Sequence, residues 1–283
     1  MDDYEALEAR ILAWAAAREE LLAGLVVGSR ARSDGTADQW SDLDLILFTN
    51  SPQSYMEDSS WLDEFGELWA TSLSPTGSGY PEWFALYAGG LKVDIVFVPV
   101  QPTDQHALPQ MLADFAFQDV LQRGLRILFD KTGTSNQEPY LPAPSAARAL
   151  PNQREFQDAE AHFWNVAAKA ARLIKRNDQW RAKQACDSEL KACLLTMLEW
   201  HARAVYGPEW DIWYEGRFVA DWAETRAVSA LAGTFATYDQ ADLMRALLAT
   251  MALYRRLADE IADLMNYSRL PKEEQIAAWI NQL

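Results

Sequence analysis

Cysteine, histidine and positive charge are all scarce in this chain of 283 residues, and each scarcity excludes something. The two cysteines, Cys186 and Cys193, lie one heptad apart in a helical pattern, which fits buried reduced thiols and argues against a disulfide framework or a cysteine-rich metal site. His106, His162 and His201 are scattered with no metal-ligand spacing and read as core or surface histidines. With 25 Lys+Arg against 41 Asp+Glu the formal charge is -16, so nucleic acid is not an expected partner: phosphate contacts need a basic face. The chain has no run of about 18 uncharged apolar residues, and it begins Met1-Asp2-Asp3-Tyr4-Glu5, acidic where a secretory leader is basic. A cytoplasmic protein without membrane association is therefore expected.

What is present is enough apolar sequence, 49% of residues, for a large core, and an uneven distribution of charge. Residues 1–140 hold 8 Lys+Arg and 22 Asp+Glu, whereas 141–283 hold 17 and 19. The halves differ in pattern too: β-branched runs and turns in the first, nearly continuous helical periodicity in the second. Between them Pro139, Pro142, Pro144 and Pro151 forbid regular helix. The expected organisation is an α/β (α+β) domain with a mixed sheet over 1–140, a Pro-rich linker over 141–151 and an all-α helical bundle over 152–283, with a site in the cleft between the domains.

In the first half, Leu7, Ile11, Trp14 and Leu21 predict an amphipathic helix from Tyr4 to Ala23, stopped at Gly24. Leu25-Val26-Val27 predicts a short strand ending at Gly28-Ser29, and Leu43 to Phe48 a second. Trp83 to Val98 reads as a strand pair turning at Gly89-Gly90, Pro102 to Gln122 as helix, and Leu125 to Phe129 as a last strand.

Asp42 and Asp44 are one residue apart on a predicted strand, so both project from one face, their Cα atoms roughly 6.6 Å apart. Asp94 stands alone in the apolar run from Leu91 to Val98, with Val93, Ile95 and Phe97 on the opposite face. If these strands are neighbours, three carboxylates converge. Lys92, the one basic residue in either strand, is expected to point away from Asp94, so the compensating charge is expected from divalent cations, Mg²⁺ being the natural choice for an all-oxygen site that also takes substrate phosphates. The bland alternative, aspartates capping turns, suits Asp42 after Ser41 and suits Asp44 and Asp94 poorly. Upstream, Gly28 lets backbone N–H groups approach a phosphate and Ser29 adds a hydroxyl donor; taken alone the pair is a loop start.

Together, Gly28-Ser29, twelve intervening residues, Asp42-Leu43-Asp44 and a later carboxylate on a second strand resemble the signature of the polymerase-β-like nucleotidyltransferases. The longer string from Gly28 to Leu45 is similar to the aminoglycoside 6-adenylyltransferase (streptomycin adenylyltransferase) family. So are Glu155-Phe156, Phe163-Trp164, Ala168-Lys169, the segment Lys191 to Trp200 and the closing helix around Tyr254. The resemblance implies transfer of AMP from ATP to a hydroxyl of a small polycationic acceptor such as streptomycin, inactivating an antibiotic. It implies metal ligation by Asp42, Asp44 and Asp94, with Asp94 as second-metal ligand or proton acceptor, and phosphate binding by Gly28 and Ser29. It tips Lys169 toward phosphate contact, with Lys191 a weaker candidate; otherwise both belong to a solvated basic stripe with His162, Arg172 and Arg176. Arg30 and Arg32 are near enough in sequence to reach phosphates, or form a surface loop. Asp187 and Glu189 either face the acceptor or are solvated. Trp164, Trp180, Trp200, Trp213, Trp222 and Trp279 read as core anchors. The alternatives are a different acceptor (a lincosamide, a metabolite or a protein) and a non-catalytic nucleotide-binding module.

Overall fold

In a computed structural model, described here over residues 3–32, 37–100, 108–115, 118–134 and 150–283, the chain forms two compact units, Met1–Ser145 and Ala146–Leu283. Most of the expected linker, together with His106 and the Asp34-Gly35 turn, lies outside the described residues.

The first unit opens with helix α1 (Asp3–Ala16), then strands β1 (Leu21–Val27), β2 (Leu43–Thr49), β3 (Leu68–Pro75), β4 (Pro81–Tyr87) and β5 (Leu91–Pro99). Helices α2 (Leu108–Asp114) and α3 (Gln118–Gln122) precede β6 (Leu125–Asp130). One six-stranded sheet has the order β3-β4-β5-β2-β1-β6; every neighbouring pair is antiparallel except β2 and β5, which run parallel. Both faces of its centre are covered, which is why β2 reads as an apolar run. On one face Leu43, Leu45, Leu47, Val93, Ile95 and Phe97 pack under α1 and an aromatic group in which Trp14 stacks on Trp61 at 5.1 Å between ring centres and Tyr55 on Phe97 at 4.7 Å. On the other, Ile46, Phe48 and Val98 meet Met111, Leu112 and Phe115.

The first helix is shorter than its periodicity predicts. It ends at Ala16, and Leu21 to Gly24 belong to β1. Leu-Leu-Ala fits either period, and pairing between β2 and β6 decides for strand. Lys131 completes the turn by donating to the carbonyls of Ala15 and Arg18, both at 2.6 Å. Gly24 is no helix stop: it sits opposite Phe129, whose ring occupies the space where a Cβ would project. Strand β3 escaped the sequence pattern because almost all of it is exposed, leaving no alternation to read. The helix expected over 102–122 is described as two pieces, α2 and α3.

The second unit contains α4 (Gln153–Lys175), α5 (Gln179–Gln184), a π-helical segment (Ala185–Glu189), α6 (Leu190–Tyr206), α7 (Val219–Trp222), α8 (Thr225–Thr234), α9 (Gln240–Met265) and α10 (Glu273–Asn281). Asn152 and Glu155 cap α4 reciprocally: the Asn152 side chain accepts from the Glu155 N–H, and the Glu155 carboxylate accepts from the Asn152 N–H. Phe156, Phe163, Ala167, Ala170 and Ile174 form its buried face, and the rings of Phe163 and Tyr254 stack at 3.6 Å. The tryptophans do not all anchor this core. Trp164 and Trp222 are buried, but Trp180 is 74% exposed and Trp279 lies at the surface. Trp180 sits in the first turn of the six-residue α5, where the amphipathic pattern is too short to bury it. Cys186 is buried and Cys193 half-buried, and both are free thiols.

Candidate active site

Strand β2 brings Leu43, Leu45 and Leu47 to the aromatic side of the sheet and therefore turns Asp44 to the other. Its parallel register with β5 sets Asp44 directly opposite Asp94. Asp42, immediately before β2, completes a trio whose carboxylates each offer an oxygen within 4.8 Å of the others. The price of this convergence shows in the protonation equilibria. Burial, reinforced by the charges of Asp42 and Asp94, pushes the Asp44 carboxyl up to about 7. Burial also raises that of Asp94, against the pull of Lys92.

Lys92 corrects the sequence expectation. Residues two apart on a strand share a face, so Lys92 points toward Asp94. Its ammonium donates to Asp94 Oδ2 at 2.7 Å and to Asp42 Oδ2 at 3.1 Å. Glu82 was also missed. Alternation along β4 turns Trp83 and Ala85 inward and Glu82 to the carboxylate face, diagonal to Asp94, and burial together with the Asp94 charge raises its carboxyl above the ordinary range. The signal for both residues was strand periodicity; the pairing of β5 with β2 gave it meaning for Lys92 and that of β4 with β5 for Glu82.

Gly28 follows β1 with φ +72°, and a Cβ there would stand 2.2 Å from Asp44 Oδ2. The glycine thus serves two ends, a left-handed turn and close approach of the backbone to a carboxylate. Ser29 follows, buried, in a single 3₁₀ turn spanning Gly28–Ala31. Arg30 reaches back instead of outward: its Nε and Nη2 donate to the Ser41 carbonyl at 3.0 and 2.9 Å, and its guanidinium lies 3.5 Å from the Tyr4 ring centre. It ties the turn after β1 to the residue preceding Asp42.

The residues present fit a divalent cation. All three are hard oxygen donors, and Asp94 Oδ1 is buried with no hydrogen-bond partner. A second cluster makes the contrast. His201, Glu224 and Glu260 also bring ligand atoms within 4.8 Å, but there Arg256 bonds Glu224 and Glu260 at 2.9 Å each and His201 Nε2 lies 2.6 Å from Glu260. That group is neutralised by a guanidinium rather than a single ammonium, though Glu224 Oε2 there also lacks a hydrogen bond.

The second-unit candidates are placed as follows. Lys169, half exposed, pairs with Glu189 at 2.7 Å. Lys191 is sunk among α6, α9 and the π-helical segment, donating to the Cys186 carbonyl at 2.9 Å and Thr250 Oγ1 at 3.2 Å; burial lowers its ammonium's affinity for the proton. Asp187 pairs with Lys183. His162 and Glu189 line a cavity of about 510 Å³ with Ser188, Cys193 and Tyr254.

The mixed sheet thus presents Asp44, with Asp42 just before its strand, opposite a third aspartate on the parallel neighbour and beside a glycine-serine turn, the arrangement that the resemblance to nucleotidyltransferases implies. The profile of the streptomycin adenylyltransferase family matches residues 1–283. The chain therefore belongs to the streptomycin adenylyltransferase family, whose chemistry implies a nucleotide co-substrate and a divalent metal. Among similar proteins, the aminoglycoside 6-adenylyltransferase of Bacillus subtilis (strain 168) is 22% identical over 262 residues, covering 89% of this chain and 87% of that one. That of Staphylococcus aureus is 23% identical over 260 residues, covering 89% and 88%. A crystal structure of an aminoglycoside 6-adenyltransferase from Bacillus subtilis aligns over 100% of this chain and 98% of that one, with 17% identity and a TM-score of 0.44. Among the described residues no helix is long and apolar enough to cross a membrane.

Proposed function

We propose that this protein transfers AMP from ATP to a hydroxyl of an aminoglycoside, streptomycin being the first acceptor to test, with Mg²⁺ as its metal. The observation that carries the proposal is the convergence of Asp42, Asp44 and Asp94 on adjacent strands, with one buried oxygen of Asp94 left unpartnered. Asp42, Asp44 and Asp94 would hold Mg²⁺, which when bound offsets the triphosphate's charge and that developing on the departing pyrophosphate.

The chain's own groups do the rest. The Gly28-Ser29 turn presents backbone N–H groups and a hydroxyl to the β- and γ-phosphates. The acceptor hydroxyl oxygen forms a bond to the α-phosphorus as the bond from that phosphorus to the pyrophosphate oxygen breaks. Asp94 takes the hydroxyl proton. Positioning supplies much of the rate, because the reacting oxygen and phosphorus are held in line. Glu82 and the acidic surplus of residues 1–140 attract a polycation and make its association salt-dependent. Of the two lysines, Lys169 is the proposed phosphate ligand, its ammonium half exposed; Lys191, enclosed by helices, donates to groups of its own unit.

Purified protein with Mg-ATP and streptomycin is expected to release pyrophosphate, and an Asp42→Asn variant is expected not to. No release above that control with streptomycin, other aminoglycosides and lincosamides would refute the proposal. Accumulation of an AMP adduct on a protein in lysate, seen by intact mass, would move it to a macromolecular acceptor. Nucleic acid is not part of the proposed reaction.

A further inference from the structure

In the second unit, acid clusters are neutralised by arginine. Arg256 bridges Glu224 and Glu260, and Arg269 bonds Glu160 at 2.6 Å while also pairing with Asp259; both arginine side chains are only 18% exposed. Each guanidinium faces several carboxylate oxygens, although the Nη2 of each lacks a hydrogen bond, and removing Arg269 would strand the buried Glu160. The trio in the first unit is neutralised differently. Its cation is Lys92, a single ammonium on a flexible stem, 46% exposed, bonded to one oxygen of Asp94 and one of Asp42. Besides the two carboxylates its ammonium faces the Phe84 ring, 5.7 Å from the ring centre, and the exposed part of the stem gives it a way toward solvent. The two oxygens it bridges belong to two of the three carboxylates that converge, while Asp94 Oδ1 beside them stays without a partner. An ammonium satisfies such a group incompletely, since it carries one charge and three donors; a divalent ion at the same place carries two charges and takes six or more oxygen ligands.

We propose that Lys92 is an exchangeable counter-ion: its ammonium occupies Asp42 and Asp94 in the resting protein, competes with free divalent cations, and yields when metal arrives together with nucleotide. This rests on the nucleotidyltransferase reading and extends it to the order of loading. Arrival of a nucleotide brings a triphosphate that can receive the displaced ammonium, whereas a bare ion brings no anion of its own and leaves it only the neighbouring Glu82. The site is thereby spared from filling with metal that carries no substrate.

The test is a titration of the full-length protein with Mn²⁺, bound ion being read by electron paramagnetic resonance. Without nucleotide, Lys92→Met is expected to bind Mn²⁺ on the order of tenfold more tightly than the parent, the worth of two partly exposed ion pairs. Lys92→Arg, with a fork that grips both carboxylates, is expected to bind it more weakly than the parent. With a non-hydrolysable ATP analogue present, the difference between Lys92→Met and the parent should shrink. Asp42→Asn added to Lys92→Met should remove the gain, which locates it at this site. Equal or weaker Mn²⁺ binding by Lys92→Met without nucleotide overturns the proposal and leaves the transferase reading standing, because pyrophosphate release is then still measured independently. If no Asp42-dependent Mn²⁺ binding is seen in any variant, even with the analogue, both fall together.

Discussion

Asp44 holds its proton to about pH 7 where an ordinary aspartate releases it near 3.8, and that displacement is a statement about stability. Below 3.8 the carboxyl is protonated in both folded and unfolded chains and contributes nothing. Between 3.8 and 7 the folded chain keeps a proton that the unfolded chain has lost, so stability falls as pH rises through the window. Above 7 the full cost is present, about 4 kcal/mol at 1.36 kcal/mol for each tenfold change in proton affinity. Replacing Asp44 by Asn removes the charge and keeps the shape. In EDTA at pH 8 the Asp44→Asn protein is therefore expected to be more stable around β2 than the parent, by about 2–4 kcal/mol, the lower figure allowing for imperfect partners of the new amide. Because the chain has two compact units, a global melting curve is a poor probe. Hydrogen-exchange mass spectrometry on peptides from β2 and β5 reads the effect locally, comparing variants at one pH. At pH 4 the advantage should nearly vanish. Adding Mg²⁺ should protect the parent and leave Asp44→Asn unchanged, and the variant should release no pyrophosphate. If Asp44→Asn exchanges faster than the parent at pH 8 in EDTA, the carboxylate is stabilising and the reasoning fails.

Gly28→Ala sets a methyl 2.2 Å from Asp44 Oδ2 on a backbone at φ +72°; activity is expected to fall at least about a hundredfold, a shift of roughly 3 kcal/mol in transition-state stabilisation, as read in kcat/KM. Arg30→Ala loses the tie to the Ser41 carbonyl and the stack on Tyr4, so a several-fold rise in the KM for ATP is expected with circular dichroism unchanged; equal kinetics would show the strut is idle. Lys169→Met is expected to raise the KM for ATP. Lys191→Met, an exchange of a buried ammonium for an apolar chain of similar length, should leave that KM alone and change unfolding free energy by less than about 1 kcal/mol, so a raised KM there would reassign the phosphate contact.

Local pattern carried a good part of this protein into view. The pair Asp42 and Asp44 shares a face because strand periodicity is two, and no tertiary information changes that. Leu125 to Phe129 and the hairpin at Gly89-Gly90 were legible for the same reason, as was the buried face of α4. Where local pattern was ambiguous it misled: Leu21 to Gly24 suits helix and strand equally, and β3, wet on both faces, shows no period at all.

The sequence by itself determined which residue types were available and which shared a strand face: three aspartates, a glycine-serine turn, and a lysine two residues before the third acid. Tertiary structure decided that β5 lies beside β2, runs parallel to it and meets it in the register that sets Asp44 opposite Asp94. It also decided that Lys92 bridges to Asp42 across that pairing, and that Glu82 flanks them from β4. The physical reason is that strand neighbours are chosen by burying whole faces of a sheet, a sum over contacts distant in sequence, whereas the direction of one side chain follows from its own backbone.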